Sequence, residues 1–144
     1  MLGLIREFVD LLLENQLPIE QGKISILSRS MKLVHNSKME LDGAPRLSSG
    51  PEQRLIPRSF SLARPGEWWF MGDVRTNFLL RKGSRILSVN RQQFFAWGPE
   101  TTTPLHRGEL IRQWAGENGI DVIKISGVQD TEFAVINLDC IQKI

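Results

Sequence analysis

Near its C-terminus the chain carries two apolar runs that no amphipathic surface element could hold. They are Gly119-Ile120-Asp121-Val122-Ile123-Lys124-Ile125 and Thr131-Glu132-Phe133-Ala134-Val135-Ile136-Asn137-Leu138. A short polar stretch, Ser126-Gly127-Val128-Gln129-Asp130, joins them. Runs of this length, rich in Val and Ile and separated by a turn, predict a β-hairpin in a buried part of a sheet. One carboxylate, Glu132, stands at the entrance to the second run. A charge where a core strand begins is either a solvated strand end or the acidic member of a site.

The 144 residues suffice for one domain with its own core. A net charge of only +2 gives no electrostatic case for nucleic acid or an anionic membrane. The single cysteine, Cys140, cannot form an intramolecular disulfide. That fits a reducing, cytoplasmic setting, and its apolar surroundings suit a core filler better than a nucleophile. No apolar run approaches the roughly 20 residues of a membrane span. Arg6, Glu7 and Asp10 interrupt the first apolar stretch, which does not read as a signal peptide. The chain has no Tyr but four Trp and seven Phe, so any stacking role must fall to Trp, Phe or His.

In chain order, Leu2 to Asn15 places Leu4, Ile5, Phe8, Val9, Leu11, Leu12 and Leu13 at helical spacing. This predicts an N-terminal amphipathic helix over residues 1–16, which packs on the domain or binds a protein partner. Lys23–Leu27 and Met31–His35 read as strands, and Asn36 to Pro57 as a long Gly/Pro/Ser-rich loop. Arg58–Leu62 is a brief strand, followed by the aromatic cluster Glu67-Trp68-Trp69-Phe70-Met71. Val74–Leu80 and Arg85–Val89, separated by Arg81-Lys82-Gly83-Ser84, are expected to form a second hairpin. Asn90 caps a short helix. Thr103-Pro104 opens another, with Thr at the cap, Pro in the first turn and Leu110, Ile111 and Trp114 on one face. The pattern predicts one α+β domain over residues 1–144.

Metal chemistry finds no support, because His35 and His106 are far apart and Cys140 has no partner motif. A Gly-rich phosphate loop and a serine-nucleophile turn are absent as well. Three pieces remain: His35-Asn36-Ser37 at a strand end, Ser59-Phe60-Ser61 with Trp68 and Trp69 just after it, and Glu132 at the head of a strand.

This order resembles the ADP-ribosyltransferase fold, in its poly-ADP-ribose-polymerase-like and diphtheria-toxin-like branch. His35-Asn36-Ser37 is similar to the family's first-strand His-Gly-Ser/Thr motif, with Asn36 where the family has Gly. Ser59-Phe60-Ser61 is similar to its aromatic strand, and Asn77 to Leu87 to its strand–Gly–strand unit. Thr131 to Ile141 resembles its terminal Glu strand. Arg29 with Ser59-Phe60-Ser61 could instead imitate the arginine-specific toxin branch. The resemblance covers residues 31–144 and implies two small, mostly antiparallel sheets that form a cleft for NAD. Beside these the chain adds the N-terminal helix and one helix before the C-terminal hairpin.

The resemblance implies that His35 bonds the adenosine-side ribose and that Asn36 and Ser37 face the nicotinamide amide. Phe60, Trp68 or Trp69 would stack on the nicotinamide, with Ser59 and Ser61 beside it. Glu132 would steady the positive charge on the nicotinamide ribose. NAD would be the substrate, with no metal, and the product an ADP-ribosylated macromolecular acceptor. A small toxin, effector or phage-type modifier would act in this way.

This reading requires His35, the Phe60–Trp69 region and Glu132 to converge. A second reading is a protein-binding module that uses the N-terminal helix and the Trp pair. A third is a small RNA-acting toxin using His35, His106 and Glu132. It needs Arg58, Arg64, Arg75, Arg81, Lys82 and Arg85 gathered on one face.

Overall fold

A computed structural model describes residues 19–37, 43–48, 55–66, 74–96, 103–127 and 130–144. Eight strands and two helices are described: β1 Ile19–Ile26, β2 Met31–Ser37, β3 Phe60–Ala63, β4 Val74–Leu80, β5 Arg85–Asn90, α1 Arg91–Ala96, α2 Pro104–Glu117, β6 Val122–Ser126, β7 Thr131–Val135 and β8 Ile141–Lys143.

The expectation of two small, mostly antiparallel sheets is overturned. All eight strands belong to one mixed sheet in the order β1-β5-β6-β7-β3-β2-β4-β8. One bridge, Val34↔Ala63, joins β2 to β3 and makes the sheet continuous. The parallel pair β5–β6 arises because the chain between them passes through α1 and α2 as a helical crossover. The long helix described therefore lies mid-chain. The expected N-terminal helix falls outside the described residues.

The predicted hairpin of β4 with β5 is also overturned. β4 pairs with β2 and β8, whereas β5 pairs with β1 and β6. The cause is a long two-stranded ribbon. Residues 19–37 run antiparallel to residues 74–90, from Ile19↔Val89 through Ile26↔Arg85 and on from Met31↔Leu80 to Ser37↔Val74. Both chains bend at the same level, where the Leu27 N–H donates to the Ser84 carbonyl at 2.9 Å and the Gly83 N–H to the Leu27 carbonyl at 2.8 Å. Gly83, at φ 92°, makes the turn that a side chain would strain.

The bend brings the two parts of the sheet face to face. Leu33, Phe78 and Leu80 pack with Phe60, Leu62, Ile86, Val122, Phe133 and Val135 in one apolar cluster. The opposite face of β5, β6 and β7 supplies Leu87, Val89, Ile123, Ile125 and Ala134 to a second cluster, closed by Phe94 of α1 and Leu110, Ile111 and Ala115 of α2. The C-terminal hairpin is the spine between these layers. β6 and β7 pair from Val122↔Val135 to Ser126↔Thr131, and every residue of β7 is buried. The helix foreseen at Thr103-Pro104 forms there. The Thr103 hydroxyl accepts the His106 N–H at 3.2 Å, and Pro stands in the first turn.

Candidate functional site

Three strands that neighbour one another, β2, β3 and β7, carry His35, Ser61 and Glu132. Glu132 is opposite Ala63 on β3 and Ile125 on β6. It is only 8% exposed, and the Ser61 hydroxyl donates a short hydrogen bond to its Oε1. Among the described residues no cation lies within ion-pair distance of Glu132; the ion pair they contain is Arg91–Asp130 at 3.1 Å. A buried carboxylate held by one hydroxyl is an expensive arrangement for a core.

His35 meets the same strand residue, Ser61, from the other side of the sheet. Its Nδ1 lies 2.8 Å from the Ser61 carbonyl oxygen, and its ring stacks on Phe60 with centroids 4.4 Å apart. Register and pleat put the two groups on different sides of the sheet. Ser61 is opposite Ala134, and Glu132 opposite Ile125, on the side covered by α2. His35 follows Val34 and shares the side of Leu33 and Phe60, within the cluster between the two folded parts of the sheet. Ser61 therefore connects them through different atoms, its hydroxyl to Glu132 and its carbonyl to His35.

The remaining expected residues separate. Asn36 and Ser37 are half-buried at the end of β2, opposite Arg75 and Val74. Phe60, 4% exposed, meets Phe78 edge-on with centroids 5.3 Å apart, so its ring is committed to the core. Ser59 is structural: its hydroxyl donates to the Ile56 carbonyl at 2.8 Å, and its backbone is tied to Ser48 through both N–H and carbonyl. Trp68 and Trp69 fall outside the described residues. His106 lies on α2, which packs on the face of the sheet opposite to that of His35. Of the cations that the RNA-acting reading needs, Arg64 lies over the Phe133 ring, and the Arg58 carbonyl accepts a bond from Arg112 of α2.

Sequence reasoning missed Arg107. It stands one turn ahead of Leu110 and Ile111 on the buried stripe of α2, and it is 8% exposed. Its Nε is buried without a hydrogen-bond partner. A cation at the head of an apolar helical stripe was the available signal. Among the described residues no group of three or more His, Cys, Asp or Glu side chains could hold a metal ion. None of their helices is long and apolar enough to cross a membrane. Comparison with protein families, with curated proteins and with solved structures finds no match to this chain.

Proposed function

We propose that the protein is an NAD-dependent ADP-ribosyltransferase whose reaction centres on Glu132. The observation that carries this reading is the bond from Ser61 to the buried Glu132 carboxylate, between neighbouring strands, with His35 held on the Ser61 carbonyl from the other side of the sheet. His35, Ser61 and Glu132 lie on consecutive strands of the sheet.

In the proposed reaction the bond between C1′ of the nicotinamide ribose and the pyridinium nitrogen breaks. Its electron pair leaves on nicotinamide, which becomes neutral. A nucleophile of the macromolecular acceptor bonds C1′ and gives up its proton. The ribose carries positive charge in between, and a fixed carboxylate stabilises that charge without moving. The Ser61 hydroxyl orients Glu132 and leaves its second oxygen for the sugar. His35, engaged by Ser61 and Phe60, orders the junction of β2 and β3 in this scheme. Stacking on nicotinamide falls to Trp68 or Trp69.

A second reading is favoured by one observation: His35 and Glu132 project from opposite sides of the pleat. Under it the protein is a protein-binding module that keeps the arrangement without turnover. A melting curve with NAD separates the two. Binding to the folded state alone raises the melting temperature by mass action, by about 2.7 kcal/mol of stability at a hundredfold excess over Kd. The transferase reading expects such a shift, together with NAD turnover that falls at least a hundredfold in Glu132→Gln while folding is kept. An unchanged melting temperature at millimolar NAD, or full turnover in that variant, would end it.

A further inference from the structure

Arg107 carries an inference that stands apart from the transferase reading. The residue is 8% exposed, and its Nε is buried with no partner. Among the described residues no carboxylate lies within ion-pair distance. An arginine keeps its charge at every accessible pH, so burial cannot be relieved by losing the proton. A buried, uncompensated charge is strongly destabilising, and folds retain one where something else neutralises it.

A second cationic pair, Arg58 and Arg112, lies farther along α2. Gly108, the residue after Arg107, is pressed against segment 55–58, since a Cβ there would stand 1.8 Å from the Leu55 carbonyl oxygen and 3.3 Å from Pro57. That segment ends in Arg58, whose carbonyl accepts from Arg112 Nε at 3.3 Å. Burial and the charge of Arg58 hold the Arg112 guanidinium below its usual pKa. Arg107 lies in the first turns of α2, where its own N–H donates to the Thr103 carbonyl and the helix dipole adds partial positive charge.

We infer that Arg107 is the anchor of an anion-binding site at the start of α2, and that the site takes a phosphate or pyrophosphate group. A planar guanidinium offers paired donors that match two oxygens of such a group. Free phosphate and the phosphate of a larger ligand share this chemistry.

The test uses the whole chain, with inorganic pyrophosphate and inorganic phosphate as probes against sodium chloride of equal ionic strength. Wild type should melt at higher temperature with either probe than with chloride. Arg107→Met should lose the shift and, without any probe, melt at or above the wild-type temperature, because the uncompensated charge is gone. Arg107→Lys should retain at most a small part of the shift. Should the Met variant fail to fold, the Lys variant decides; should both fail, protection of Arg107 from phenylglyoxal by pyrophosphate in wild type decides. An equal response to chloride and the probes, a full shift in either variant, or unprotected modification overturns the site. NAD is absent from every arm, so failure here leaves the Glu132 experiment standing, and the reverse.

Discussion

Single side chains in this protein divide by whether burial suits their chemistry. Cys140 is comfortable. Burial first, and the charge of Asp121 second, push its thiol up from an ordinary 9.0 to about 12. At neutral pH the folded and unfolded states both hold the proton, and the thiol adds no pH dependence. Above pH 9 the unfolded chain releases the proton while the folded chain keeps it. Stability attributable to this group is therefore full below pH 9 and is lost between pH 9 and about 12. Urea midpoints over that range should fall less in Cys140→Val than in wild type, and thiol reagents should label the native protein slowly at pH 7. Glu132 is held in place by Ser61 alone among the described side chains. Ser61→Ala should cost about 1–3 kcal/mol, the penalty of a buried charged acceptor losing its donor. If the transferase reading holds, the same variant lowers turnover as well as the urea midpoint. Glu132 was legible in the sequence, because a lone carboxylate in an apolar run is conspicuous. Its bond to Ser61 was not, because hydroxyls alternate with Phe60 on a strand whose inward side the sequence leaves open.

At the scale of elements, local chemistry decided what formed and distant chemistry decided where it went. The β6–β7 hairpin and the start of α2 were legible, since β-branched runs around a turn and Thr-Pro at a helix start act over a few residues. The partners of β4 and β5 were not. A turn at residues 81–84 suggests a hairpin, but residues 19–37 lie along both strands and bend with them. Nothing within residues 74–90 signals that competitor. α2 supplies a paired prediction of opposite sign. Gly108→Ala drives a methyl into the Leu55 carbonyl and should destabilise by about 1–3 kcal/mol, despite Ala's better helix propensity. Gly116→Ala meets only the flexible end of Arg112, at 3.2 Å, and should stabilise by about 0.5–1 kcal/mol. Urea denaturation of both variants beside wild type checks the pair.

Across the whole molecule the layering sets a gradient of protection. β6 and β7 have a strand on either side and an apolar cluster on each face, whereas β8 is three residues at one edge of the sheet and β1 forms the other. Hydrogen exchange should be slowest for amides of Ile123, Ile125, Phe133 and Val135 and fastest among the strand amides of β8. Uniform protection across all eight strands would contradict the layering. The weakest line runs through the middle of the sheet. Where β2 meets β3, one backbone bridge, Val34↔Ala63, and the imidazole of His35 on the Ser61 carbonyl hold two halves that are otherwise joined at the bend and by the apolar cluster between them. With each bond worth about 0.5–1.5 kcal/mol net, a wedge driven between these strands has little ladder to unzip. The sheet is built like a book whose pages are clasped by one small catch, and Ser61, which also grips Glu132, is half of that catch.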